Sequence, residues 1–224
     1  MLKALLFDLD GTLADTDKLH HLAFVGLFAP QGVNLTYSDY ATHILGRPNT
    51  DIMDRYFPQL SLAEQTAIAD WKEATYRDML PNHALKPLPG LIALLDWADA
   101  HAIKTAVVTN APRASAEAVL SALGIRNRFQ TLIIGDECTK PKPDPAPYRA
   151  AMLALNVTPA ESIAFEDAPA GLRAAKGSGA FVFGMRTSLD EHALRQAGAN
   201  KTLVDYDDQT LWSHLTELMK EPAQ

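Results

Sequence analysis

The stretch that most constrains this chain is residues 4–12, Ala-Leu-Leu-Phe-Asp-Leu-Asp-Gly-Thr. An apolar run, Ala4 to Phe7, ends in two carboxylates, Asp8 and Asp10, and Gly11 and Thr12 follow at once. A short apolar run bounded by Gly reads as a buried strand. Polar side chains at the carboxyl end of such a strand lie where open α/β sheets bind ligands. Two acids two residues apart repel each other there and need a cation or a shared proton. Mg²⁺ suits a site built from oxygens. A calcium loop is the competing reading, but it needs a third acidic or amide position before its Gly and a Glu six residues after it. Here Gly11 directly follows Asp10, and the sixth residue after it is Asp17. A plain strand-end turn is the other alternative, and the remaining motifs weigh against it.

Beyond Thr12 the pattern turns helical. Thr16 or Asp17 can cap a helix running to about Phe28. Thr36 or Ser38 can open a second helix and Asn49 or Thr50 a third, while Ser61-Leu62-Ala63-Glu64 is a capping box opening a long helix through Tyr76. Nothing between Asp15 and Leu85 has the pattern of a buried strand. Pro81, Pro87 and Pro89-Gly90 mark a boundary. From Leu91 onward, apolar strands at 104–109, 131–134, 162–165, 180–184 and 202–204 alternate with helices at 91–101, 112–123, 145–155, 168–176, 191–197 and 211–219. That alternation means βαβ units and a parallel sheet. The expected fold is α/β: a Rossmann-like parallel-sheet core from residues 1–15 and 86–224, with an all-helical insert, 16–85, directly after its first strand. An insert at that point makes a lid above the strand ends, able to exclude water and select substrates.

Three further clusters fall at expected strand ends. Thr109-Asn110 offers a hydroxyl and an amide that can donate to phosphate oxygens. Lys140, in the Pro-braced run Lys140-Pro141-Lys142-Pro143, offers a stiffly held ammonium able to neutralise a nucleophilic carboxylate and a phosphate together. Glu166-Asp167 is a second acid pair that calls for a cation. Each alone has a bland reading as loop or surface polarity. Together they converge on the carboxyl edge of one sheet.

The order Asp8-x-Asp10-Gly11-Thr12, Thr109-Asn110, Lys140-Pro141, Glu166-Asp167 resembles the haloacid dehalogenase superfamily, and the helical insert is similar to its C1-type cap. The runs Phe165–Gly171 and Lys140–Pro145 resemble the branch that holds β-phosphoglucomutase and small-sugar phosphatases. The resemblance implies that Asp8 is the nucleophile, forming an aspartyl-phosphate, and that Asp10 is the general acid and then base. It implies that Thr109 and Asn110 hold phosphoryl oxygens and that Lys140 pairs with Asp8. Asp8, Asp167, the backbone carbonyl of Asp10 and, directly or through water, Glu166 then hold Mg²⁺. His20 matches a histidine near the cap hinge, and Arg113 follows the second motif closely enough to touch substrate. Relatives that act as mutases carry Lys-Gly and a nearby Arg on the cap; here the stretch is Leu45-Gly46-Arg47-Pro48-Asn49, with Arg47 shifted but within reach of an anion. This favours a phosphatase over a β-phosphoglucomutase-type mutase without closing the question. A phosphate-receiver domain is the non-enzyme alternative, but receivers carry their acid pair early and have no helical insert.

The net charge of −7 disfavours nucleic acid or an anionic membrane as a partner, whereas a small phosphorylated metabolite stays compatible because a metal reverses the local field. No stretch approaches the ~20 apolar residues of a membrane span. The single Cys138 cannot form an internal disulfide, so a reducing, cytoplasmic compartment is expected. A monomer is expected.

Overall fold

Ala4–Phe7 form β1 with all four side chains buried. The computed structural model describes residues 1–220. After β1 come four helices: α1 Asp17–Phe28, α2 Tyr37–His43, α3 Asn49–Tyr56 and α4 Leu62–Met79. From residue 91 helices and strands alternate: α5 Leu91–Ala100, β2 Lys104–Thr109, α6 Arg113–Ala122, β3 Thr131–Ile134, α7 Ala146–Leu155, β4 Ser162–Glu166, α8 Pro169–Ser178, β5 Phe181–Met185, α9 Glu191–Ala197, β6 Lys201–Leu203 and α10 Gln209–Met219. The sheet is parallel throughout, in the order β3-β2-β1-β4-β5-β6. The expected parallel-sheet core with a helical insert after its first strand is what the chain forms. The strand read at 202–204 begins one residue earlier.

β1 lies at the centre. Phe7 pairs in register with Val107 on one side and Phe165 on the other. Because both faces of a parallel sheet are covered, its strands are continuously apolar and successive residues serve different cores. Leu5, Phe7, Val107, Ile163, Phe165 and Phe183 pack with α5, α6 and α10. Leu6, Ala4, Ala106, Val108, Ala164 and Val182 pack with α7 and α8. A third apolar cluster, including Phe24, Phe28, Tyr40, Ile52 and Phe57, lies wholly within the helical insert.

Helix starts follow the expected chemistry with two instructive exceptions. Thr36 and Ser61 each close a capping box, with Asp39 and Glu64 respectively. Thr16 stands at the start of α1 but makes no cap bond; its hydroxyl instead donates to Asp10 Oδ1 at 2.6 Å. α3 is preceded by extended Pro48, so Asn49 is its first residue and not its cap. No helix among the described residues is long and apolar enough to cross a membrane.

Candidate active site

The parallel order brings the carboxyl ends of β1, β2 and β4 side by side, and the loop after β3 folds over them. At the end of β1 the Asp8 carboxylate is 8% exposed. A lysine ammonium lies against it, but from Lys142. Its Nζ donates to Asp8 Oδ1 at 2.5 Å, Glu166 Oε1 at 2.5 Å and the Val108 carbonyl at 2.6 Å. Lys140, the lysine expected here, is exposed and lines a surface groove with Pro48, Asp51 and Asp144. The reason is a clamp. Asn110 Nδ2 donates to the Lys142 carbonyl, and the Lys142 N–H donates back to Asn110 Oδ1, both at 3.1 Å. This two-bond grip turns residue 142 inward and leaves residue 140 outside. The grip uses one of the two N–H groups of the Asn110 amide, and Asn110 also lines the cavity between insert and sheet. Gly135 permits the grip, since a Cβ there would lie 2.2 Å from Asn110 Oδ1.

Asp8, Glu166 and Asp167 are buried, and each can place one carboxylate oxygen within 4.8 Å of the others. Burial pushes the Asp8 carboxyl up, Lys142 opposes it, and Glu166 and Asp10 push it further. Asp167 is likewise raised by burial and then by Asp17, Asp8 and Glu166. Burial disfavours the Lys142 ammonium, yet Asp8 and Glu166 outweigh it and raise its pKa, so its charge persists. One ammonium facing three buried carboxylates leaves excess negative charge. Glu166 Oε2 is also buried without a hydrogen-bond partner among the described residues. Three oxygens and an uncompensated charge fit a hard divalent cation.

Asp10 points the other way, toward the insert. Its Oδ1 accepts from Thr16 and from His20 Nε2 at 3.1 Å, with Tyr76 Oη at 3.5 Å. The Lys72 ammonium carries only donors, so His20 Nδ1, 3.0 Å from Lys72 Nζ, must accept. That fixes the tautomer with its proton on Nε2, donating to Asp10. Burial would raise Asp10, but His20 and Thr16 hold it below the usual carboxylate range. Lys72 also donates to Glu73 Oε1 at 2.8 Å, as does Asn49 Nδ2 at 2.9 Å. Ser115 of α6 donates to Glu73 Oε2 at 2.6 Å, tying the insert to the sheet domain.

A cavity between insert and sheet is lined by Asp8, Asp10, His20, Arg47, Thr109 and Asn110, along with Asp17, Lys72 and Glu73. Arg113 is not among its walls. It reaches Glu137 in a two-pronged ion pair instead, with both side chains about half exposed, so the expected substrate contact is corrected. Lys142, Lys72, Glu73 and Asp17 escaped the sequence reading. Lys72 and Glu73 carried one usable signal, two charges on a helix flank that also presents Tyr76, 0% exposed.

The description "Haloacid dehalogenase-like hydrolase" belongs to the family whose sequence model matches residues 5–185. Validoxylamine A 7'-phosphate phosphatase of Streptomyces hygroscopicus subsp. limoneus is 36% identical, over 96% of this chain and 99% of its own length. The phosphorylated carbohydrates phosphatase of Thermotoga maritima is 30% identical, over 88% of this chain and 92% of its own. The crystal structure of β-phosphoglucomutase from Clostridium difficile superimposes with a TM-score of 0.86 at 25% identity, covering 97% of this chain and 96% of that one. With a family match spanning both sheet and insert, and relatives matched along nearly their whole length, the chain belongs to the haloacid dehalogenase-like hydrolase family.

Proposed function

We propose that this chain is a Mg²⁺-dependent phosphatase that hydrolyses small phosphomonoesters, sugar phosphates foremost, through an aspartyl-phosphate on Asp8. The observation that carries the reading is the buried Asp8–Lys142–Glu166–Asp167 constellation at the sheet's carboxyl edge, with Asp10 two residues beyond Asp8 and its carboxylate turned toward the insert across the same cavity. Asp8 attacks phosphorus, and the ester oxygen leaves with a proton from Asp10. Water then attacks the phosphorylated Asp8, giving its proton to Asp10, and phosphate departs with Asp8 restored. Lys142 holds Asp8 Oδ1 in place and offsets the carboxylate's charge. Thr109 accepts a hydrogen bond from the Ala111 N–H and keeps its own O–H for a phosphoryl oxygen. Asp8, Asp167, Glu166 and the Asp10 carbonyl would hold Mg²⁺, which when bound supplies positive charge where the transferring phosphoryl group accumulates negative charge.

Residues 16–85 act in this reading as a cap on a catalytic core formed by residues 1–15 and 86–224. Arg47 and His20 line the cavity from that side. One chain supplies every group named, so a monomer suffices, and the free Cys138 thiol suits the cytoplasm. The likeness to β-phosphoglucomutase favours a second reading, a phosphomutase. Against it stand Leu45 in place of a lysine and Asn49, whose amide is committed to Glu73.

A panel of phosphomonoesters assayed with and without Mg²⁺, beside Asp8→Asn, tests the proposal. Phosphate release should require the metal and be lost in Asp8→Asn, and full activity in that variant would overturn the mechanism. Conversion of β-glucose 1-phosphate to glucose 6-phosphate with little free phosphate would establish the mutase instead.

A further inference from the structure

Asp17 is the first residue of α1, 3% exposed, and lines the cavity. Its Oδ2 accepts a hydrogen bond from Ser188. The loop carrying Ser188 is itself fixed, because Thr187 Oγ1 donates to the Gly11 carbonyl at 2.7 Å. Asp17 Oδ1, by contrast, is buried with no partner among the described residues. The two lysines in the cavity wall are turned elsewhere: Lys142 spends its three donors on Asp8, Glu166 and the Val108 carbonyl, and Lys72 bonds His20 and Glu73. Native structures rarely keep a buried polar atom unpaired without a use for it. A carboxylate oxygen only accepts, and Asp17 stands outside the Asp8–Glu166–Asp167 group that could hold a metal, so its missing partner is an O–H or N–H donor.

A second group in the same wall points to the same chemistry. Tyr40, on α2, is 3% exposed and, like Asp17, lines the cavity between insert and sheet. A phenol both donates and accepts, and together with an acceptor-only carboxylate it completes a site for hydroxyls.

We propose that Asp17 and Tyr40 form a hydroxyl-recognition subsite that selects phosphate esters of polyols over esters whose organic part carries no hydroxyl. The inference rests on the phosphatase reading above and names its substrate class. Sites built to pair a substrate hydroxyl discriminate strongly against analogues lacking it, because their own polar atoms are then left unpaired.

The test measures kcat/KM of the full chain, Asp17→Ala and Tyr40→Phe with glucose 6-phosphate, ribose 5-phosphate and sorbitol 6-phosphate, and with p-nitrophenyl phosphate. For the best polyol ester, Asp17→Ala should lose roughly tenfold or more, mainly through KM, and Tyr40→Phe a smaller factor. Turnover of p-nitrophenyl phosphate by Tyr40→Phe should hold within about threefold, which also shows that this variant folds. Equal loss on both substrate types, or no loss on either, would overturn the proposal. Calorimetric binding in the Asp8→Asn background separates this inference from the reading beneath it. Adding Asp17→Ala there should weaken the polyol phosphate and spare inorganic phosphate, whether or not Asp8 proves to be the nucleophile, and equal binding of the polyol phosphate with and without Asp17 would refute the subsite.

Discussion

Lys142 and Lys140 are two residues apart, of the same type and braced by the same prolines, yet only one meets Asp8. Lys142→Ala should reduce turnover by at least about 10²-fold. It should also destabilise the protein by about 3 kcal/mol, because Asp8 and Glu166 are left buried without their cation. Lys140→Ala should stay within about 0.5 kcal/mol of the parent, as exposed substitutions usually do. Urea unfolding and a phosphate-release assay on the two variants check both statements. The sequence placed a lysine at this edge but could not rank the pair, because the deciding contact is Asn110, 32 positions away in the chain. Asp8, Asp10 and Glu166-Asp167 were legible for the opposite reason. Each is attached directly to a strand end, so strand pattern alone locates it. His20 sits between these cases. Its removal frees Asp10 from the donor that holds its pKa down, so Asp10 should keep its proton to higher pH. The alkaline limb of the pH–rate profile, set by the proton that Asp10 must give, should accordingly move upward in pH in His20→Ala, read from kcat across pH 4–8.

At the scale of elements, the seams between helices and sheet carry the information that periodicity omits. The first turn of α8 presents Gly171 to Glu166, and a Cβ there would lie 1.9 Å from Glu166 Oε1. Gly171→Ala should displace that carboxylate from Lys142, lower activity and cost about 1–3 kcal/mol through overpacking, measured by thermal unfolding beside the activity assay. α4 meets α6 through Glu73 and Ser115. Burial alone would raise Glu73, but Lys72 prevails and brings it down to about 2. A carboxyl depressed on folding stabilises fully above its unfolded value and loses that contribution as pH falls. Wild type should therefore exceed Glu73→Gln by about 3 kcal/mol near pH 7, and the gap should shrink between pH 4.5 and 2, as urea titrations at several pH values will show. Element type was readable for nearly every helix and strand because amphipathic spacing survives in the sequence. The Glu73 network was not, because its partners come from α1, α3 and α6.

Over the whole molecule, acidic groups crowd the inner end of the cavity while the ammonium groups nearby are already engaged. A divalent cation that binds this folded arrangement and not the unfolded chain should raise the unfolding temperature with concentration. Mg²⁺ titrated in a thermal scan should show that rise, and Asp167→Asn should flatten it. The central place of β1 has a further consequence, in the timing of biosynthesis. Ala4 leaves the ribosome ahead of its register partners, Lys104 and Ser162. At ~5–20 residues per second, β1 waits about 5–20 s for its first neighbour and longer for its second. Until then it is an apolar segment with both edges open, the state in which chains aggregate or recruit chaperones. The strand that anchors the finished sheet is thus the segment most exposed to misassociation while the chain is still being made.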